Sequence, residues 1–206
     1  MSSDQVPTRG DWRRARIGLL GGSFNPAHKG HRHIAELALR RLRLDQVWLI
    51  VSPGNPLKPA EGMATFDARL GSAQHIADGR RILATGIERL LGTRYSVDTL
   101  RALRRRFPRA RFVWIMGADI LQQLPDWQRW LEIAHMVPIA VLPRPNYRYR
   151  GLASRAAQRL RHARKPAERA HLLASQQPPA WVFLPGAQDP ISATEIRRSQ
   201  QEHCHR

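Results

Sequence analysis

The sequence predicts an α/β fold, a doubly wound parallel sheet, and three observations point to it. Short continuous apolar runs suited to buried strands recur along the chain, among them Ile17–Leu20, Val47–Val51, Arg111–Met116 and Trp181–Leu184. Segments with helical spacing lie between them, and strands alternating with helices imply a parallel sheet with right-handed crossovers. The 206 residues suffice for one domain with a sizeable core, and no internal repeat divides them. In such folds ligands collect at the carboxyl ends of strands, at the point where the winding reverses.

Residues 1–15 are polar and are expected to be a flexible segment ahead of a single domain over 16–200, with a short tail at 201–206. The first strand, Ile17–Leu20, runs into a glycine turn. A helix follows with Ile34, Leu37, Ala38 and Leu42 on one face, ending near Leu44. Val47–Val51 is a second strand, and the Pro- and Gly-rich stretch Ser52–Met63 after it is a loop of the kind that carries function. Phe66–Ala77 reads as a helix, Arg81–Ala84 as a short strand, and Ser96–Phe107 as a helix that Pro108 stops. After the strand Arg111–Met116, Gly117-Ala118-Asp119 turns off its carboxyl end, and Pro125-Asp126-Trp127 opens another helix. Met136–Leu142 reads as a strand interrupted by Pro138. Residues 150–176 have helical propensity with a break at Pro166, and Trp181–Leu184 is the last strand.

Composition narrows the function classes. Lysine and arginine number 34 against 16 acidic residues, a formal charge of +18 carried almost wholly by arginine. That balance suits phosphorylated substrates and also nonspecific contact with nucleic acid. Arg101, Arg104, Arg105 and Arg106 lie opposite the apolar face of their helix without interleaved aromatics, which favours a solvated face over a nucleic-acid site. The single cysteine, Cys204, excludes an internal disulfide and agrees with a cytoplasmic location. No run approaches the roughly 18 apolar residues of a membrane span, so no membrane partner is expected.

The stretch Gly21-Gly22-Ser23-Phe24-Asn25-Pro26-Ala27-His28-Lys29-Gly30-His31 carries the chemistry. The glycines allow close backbone approach to a ligand, and Pro26 fits near a helix start. His28 and His31 then share one face of the first helical turn, beside free N–H groups and the positive dipole end, an arrangement that binds anions. H-x-x-H spacing also occurs in metal sites, but no compact third or fourth ligand accompanies it. Near the other end, Ser192 and Glu195 in Ile191-Ser192-Ala193-Thr194-Glu195-Ile196-Arg197 form a capping box at a helix start. Capping alone would explain those two. It leaves Thr194 and Arg197 as a hydroxyl and a guanidinium beside a second anion-binding end. Lys58 is open to two readings, a phosphate contact or a solvated loop lysine.

These two strings resemble the G-G-[ST]-F-[DN]-P-x-H-x-G-H and I-S-[SAT]-[ST]-x-[IV]-R signatures of the nucleotidyltransferases that move an adenylyl or cytidylyl group. The intervening strings Ser52-Pro53-Gly54-Asn55-Pro56-Leu57-Lys58, Tyr95-Ser96-Val97-Asp98-Thr99-Leu100, Gly117-Ala118-Asp119, Leu124-Pro125-Asp126-Trp127 and Pro143-Arg144-Pro145-Asn146-Tyr147 look most like bacterial nicotinate-nucleotide adenylyltransferase. The resemblance spans roughly 16–198 and implies a Rossmann-like nucleotidyltransferase fold. It implies adenylyl transfer from ATP, with Mg²⁺, to nicotinate mononucleotide, giving deamido-NAD and pyrophosphate in NAD biosynthesis. The histidines His28 and His31 would be catalytic. Gly21, Gly22, Ser23, Phe24, His28, His31, Asp119, Ser192, Thr194 and Arg197 would bind ATP, with Asp119 near the adenosine ribose. Asn55, Lys58, Ser96, Trp127 and Arg144 would bind the mononucleotide, Ser96 near the pyridine carboxylate and Trp127 stacked near the ring. Without the resemblance, Trp127 reads as a core tryptophan.

Other acceptors stay open at this point, namely nicotinamide mononucleotide and phosphopantetheine, as does a basic nucleic-acid-binding protein without catalysis. Intact His28, His31, Thr194 and Arg197 argue against the last. Members of that family usually continue past Arg197 through a further helix, so the edge formed there is the part of the fold in question. The tail with His203, Cys204 and His205 is expected to be disordered rather than metal-binding.

Overall fold

A computed structural model describes residues 5–7, 9–54, 61–143 and 148–185. Its centre is a seven-stranded sheet in which every pairing is parallel. The strands are β1 (Arg16–Gly22), β2 (Gln46–Val51), β3 (Ile82–Thr85), β4 (Arg111–Gly117), β5 (Ile139–Leu142), β6 (Arg164–Lys165) and β7 (Trp181–Phe183). They lie in the order β3-β2-β1-β4-β5-β7-β6. The chain winds outward from β1 to β3, returns to place β4 against the other side of β1, and winds outward again. The reversal between β1 and β4 opens a crevice at their carboxyl ends.

Side chains alternate across the sheet because the strand period is two. Trp48, Phe112, Trp114, Met116, Trp181 and Phe183 enter one apolar layer, beneath α3 (Ile87–Leu91), α4 (Ser96–Arg106), α5 (Ala118–Gln123), α6 (Trp130–Met136) and α8 (Arg155–Arg159). Val47, Leu49, Val113, Ile115, Ala140 and Val182 enter the other, beneath α1 (Lys29–Arg41) and α2 (Phe66–Ile76). Burial on both faces explains why the strands read as continuous apolar runs.

Several expectations need correction. The segment 1–15 was expected to be flexible, yet Val6 is only 2% exposed and joins the aromatic layer. The Gln5 side chain accepts the Ala84 N–H of edge strand β3 at 2.8 Å, and the Asp11 N–H donates to the Arg106 carbonyl at 3.1 Å. Covering an open strand edge satisfies donors that would otherwise face solvent or another chain. Trp127 does not open a helix. It closes a 3₁₀ turn over Leu124–Asp126, and α6 starts only at Trp130, because Arg129 takes a left-handed φ of 51° between the two. The reading of 150–176 as helix broken at Pro166 omits β6. Around it the chain forms α7 (Arg148–Leu152), α8, a 3₁₀ turn at Arg161–Ala163 and a 3₁₀ segment at Ala167–Ser175.

Candidate active site

The crevice is built from the ends of β1 and β4. Gly21 and Gly22 are the last residues of β1 and not the turn itself. Phe24 makes the turn with a left-handed φ of 47°, followed by a cis Asn25–Pro26 bond. A left-handed backbone costs a bulky residue about 1 kcal/mol or more, and Phe24 offsets it by burying its ring. Glycine at 22 makes room, since a Cβ there would stand 3.2 Å from that ring.

His28 is the N-cap of α1 and is 6% exposed. Its Nδ1 accepts the Gly30 N–H at 3.2 Å, and the His31 Nδ1 accepts the His28 N–H at 3.2 Å. The two imidazoles therefore cap the helix in place of the usual hydroxyl and carboxylate. A backbone N–H can only donate, so each Nδ1 is an acceptor, and in the neutral ring the proton sits on Nε2. Both rings thus present an Nε2–H donor. Their centroids are 3.9 Å apart, and Phe24 holds the His31 ring at 4.9 Å. No acidic residue occupies the first turn of α1, so the positive end of its dipole is left for an anion.

Across the crevice Asp119 lies half-buried in the first turn of α5, directly after β4. A Gly21 Cβ would lie 3.3 Å from the Trp114 indole, and Trp127 packs edge-on against the same indole at 6.1 Å. That chain of contacts sets Trp127, half-buried, beside the glycine end of β1. Ser96 is the first residue of α4, after an extended Tyr95 with no side-chain cap. The first N–H groups of that helix have no intrahelical carbonyl. The structure therefore gathers Gly21, Gly22, Ser23, Phe24, His28, His31 and Asp119 around the β1–β4 crevice. Asn55, Lys58, Arg144, Ser192, Thr194 and Arg197 lie outside the described residues. Among the described residues no group of His, Cys, Asp or Glu side chains is arranged to hold a metal ion.

Sequence reasoning missed Arg69. It lies on the inner face of α2 with Leu70 and Ala73 and is 3% exposed. Its guanidinium donates to the carbonyls of Ser23 at 2.8 Å, Ser52 at 2.7 Å, Pro53 at 3.1 Å and Ala64 at 3.1 Å. One side chain ties the motif turn, the end of β2 and the start of α2 together. Its partners are all neutral, and burial lowers its pKa. Asn25 adds a second tie, donating to the Gly62 carbonyl at 2.9 Å and accepting the Ala64 N–H at 3.1 Å. The detectable signal was an arginine in the apolar stripe Phe66, Arg69, Leu70, Ala73.

Glu88 is the other buried charge-bearing group nearby. It is 6% exposed in α3 and accepts the Thr99 hydroxyl at 3.0 Å, while Thr93 and Thr99 share a hydrogen bond of 2.9 Å. This network spans the loop that leads to Ser96. Burial pushes its carboxyl up to about 7, and the Thr99 hydrogen bond offsets part of that.

The fold and this crevice define a class. The chain belongs to the cytidylyltransferase-like family, whose model matches residues 19–199. Its relatives narrow the class to the nicotinate-nucleotide adenylyltransferases. A probable nicotinate-nucleotide adenylyltransferase of Gluconacetobacter diazotrophicus is 60% identical over 190 residues, 92% of this chain and 88% of the relative. A protein of the same description from Gluconobacter oxydans is 60% identical over 186 residues, 90% of this chain and 95% of that one. A solved Plasmodium falciparum nicotinic acid mononucleotide adenylyltransferase, complexed with NaAD, shares the fold with a TM-score of 0.64 at 14% identity, covering 89% of this chain and 82% of that one.

Two consequences are measurable. Arg69→Met removes the donors of buried carbonyls and is expected to cost about 2–4 kcal/mol in unfolding free energy. Arg69→Lys should recover only part of this, because an ammonium cannot span the same fork of acceptors; thermal unfolding of both variants checks it. For Glu88 the folded pKa lies above the unfolded value, so its contribution is full below pH 4.5 and is lost as pH rises through about 7. Relative to Glu88→Gln, the unmodified protein should lose up to about 3 kcal/mol between pH 4.5 and pH 8. Parallel pH slopes of unfolding free energy in the two proteins would refute this.

Proposed function

We propose that the chain transfers the adenylyl group of ATP to nicotinate mononucleotide, giving deamido-NAD and pyrophosphate. The observation that carries this reading is the imidazole pair capping α1 at the β1–β4 crevice, with both Nδ1 atoms accepting backbone N–H groups, which places the ring proton of each on Nε2. Neutral donors at the positive end of a helix suit phosphate oxygens whose charge shifts during the reaction.

The mononucleotide phosphate is ionised at neutral pH and attacks the α-phosphorus of ATP in line. A phosphorus–oxygen bond forms to the acceptor, the bond to the β-phosphate oxygen breaks, and pyrophosphate leaves with its charge. No protein base or covalent intermediate is required, so catalysis consists of positioning and charge stabilisation. His28 and His31 donate to oxygens on the α-phosphate and the leaving group. Asp119 accepts from the ribose hydroxyls, a task suited to a carboxylate at a strand end. Ser192, Thr194 and Arg197 bind the ATP phosphates, and Asn55, Lys58 and Arg144 bind the mononucleotide. Mg²⁺ brought by ATP would be held mainly by the substrate phosphates, and would supply charge neutralisation for the departing pyrophosphate.

Trp127 takes the pyridine ring on its exposed part, and the opening turn of α4 at Ser96 takes the carboxylate through N–H donors. The same turn disfavours a carboxamide, whose NH₂ would face donors.

His31→Ala is expected to lower kcat by about 10²–10³, the effect of removing one donor to developing charge. Because His31 also caps α1, the variant should lose about 1 kcal/mol of stability as well. Turnover near that of the unmodified enzyme would remove His31 from the chemistry. For the acceptor, kcat/KM with nicotinate mononucleotide should exceed that with nicotinamide mononucleotide by roughly tenfold to a hundredfold, the effect of a buried donor mismatch of about 1–3 kcal/mol. Equal values would defeat the acid preference and leave adenylyl transfer standing.

A further inference from the structure

At the opposite end of the sheet, about 20 Å from the motif by the length of β1, the strand beginnings form a second cleft. It has a volume of about 580 Å³ and is lined by Arg14, Ala15, Arg16, Asp45, Arg109 and Arg111. The register explains the clustering. Arg16 stands beside Arg111 on neighbouring parallel strands, and the Arg111 N–H donates to the Ala15 carbonyl at 2.8 Å. Arg14 lies two residues before Arg16, and Arg109 lies in the turn that leads into Arg111.

The charges do not cancel. Asp45 is the one carboxylate lining this cleft, and Arg16 occupies it, with its N–H at 2.7 Å and Nη2 at 2.8 Å from the two oxygens. Arg111 has a neutral partner, the Ser175 hydroxyl at 2.8 Å. Arg14 makes no hydrogen bond or ion pair among the described residues. Arg109 has its guanidinium 5.2 Å from the ring of Trp12, and Trp12 is 69% exposed. Arginines in the last turns of α1 and α4 complement helix dipoles at this end. Arg111 opens β4 and Arg14 lies in the segment before β1, so that explanation does not apply to either. An arginine cleft with an exposed indole at its margin is the combination that binds a phosphate chain and stacks a base.

We propose that this cleft is a second binding site, separate from the catalytic crevice, for a phosphate chain bearing a base. Arg14, Arg109 and Arg111 contact the phosphates and Trp12 stacks the base. The phosphate part of this chemistry would also accept a free oligophosphate without a base, and the test separates the two.

A fluorescein-labelled single-stranded oligonucleotide of mixed sequence is titrated by anisotropy across a salt series, with inorganic tripolyphosphate as competitor. Arg14→Gln/Arg109→Gln/Arg111→Gln is compared with Arg155→Gln/Arg159→Gln/Arg161→Gln, which removes the same charge from an exposed face elsewhere. The cleft variant should weaken binding at least roughly tenfold and flatten the log–log salt slope by about 2, at about 0.7 per phosphate contact on a single strand. The other variant should change both far less, and adenylyl transfer should be unchanged in each. Trp12→Ala should weaken the oligonucleotide roughly tenfold and leave tripolyphosphate unaffected. Resistance to equimolar tripolyphosphate supports a base-bearing chain as the ligand, and full displacement by it would overturn the stacked base. Equal weakening by the two triple variants, or no binding by the unmodified protein at low salt, would overturn the proposal. Should the triple variant unfold at a lower temperature, Arg14→Gln alone, which breaks no bond among the described residues, must still reduce the slope.

Discussion

β1 pairs with β2 on one side and with β4 on the other, and that double pairing decides where everything else lies. A strand that begins the winding of both halves of a parallel sheet leaves its carboxyl end uncovered by either set of crossovers. The motif turn, α1 and Asp119 sit at that end for this reason. The packing tolerates little change along β1. A Cβ on Gly18 would come within 2.5 Å of Ile115 and 2.7 Å of Leu44. The strand is thin at this point, which lets its neighbours close over it.

The site also depends on charge held by backbone dipoles. Arg69 is buried with carbonyl oxygens as its hydrogen-bond partners, so its positive charge is oriented without being neutralised by a carboxylate. A guanidinium tolerates this better than an ammonium because its charge is spread over a plane and its donors are fixed in direction. The result is a rigid turn and a lasting positive potential behind it. The dipole of α1, with no acidic residue in its first turn, adds to that potential. A triphosphate approaching the crevice meets a field set before it arrives, which is what electrostatic preorganisation requires.

The parts of this arrangement legible in the sequence were those encoded locally. Apolar runs identify β2 and β4 because both faces are covered, and the string from Gly21 to His31 places the histidines at a helix start. The histidines as mutual caps were not legible, because capping normally calls for Ser, Thr or Asp and the pattern does not suggest an imidazole. Arg69 was invisible as a tie because its partners are carbonyls, which every residue has, and they are remote in the chain. Trp127 was assigned to a helix start because Pro125 commonly marks one. The left-handed Arg129 that separates the 3₁₀ turn from α6 leaves no such trace. The docked N-terminal segment escaped notice for a similar reason: a single buried valine and one side-chain bond to a strand edge carry no periodicity.

The unequal make-up of the two apolar layers has an optical consequence. Of the six tryptophans, Trp48, Trp114 and Trp181 lie in the layer beneath α4 and α6, with Trp127 and Trp130 packed against it, and Trp12 is exposed. The layer beneath α1 and α2 contains none. Intrinsic indole emission therefore watches one side of the sheet. A displacement of α1 and α2 could pass without a change in colour or intensity, while a small shift around Trp127 would register at once. Following the motif helix in solution calls for a reporter placed on its own side.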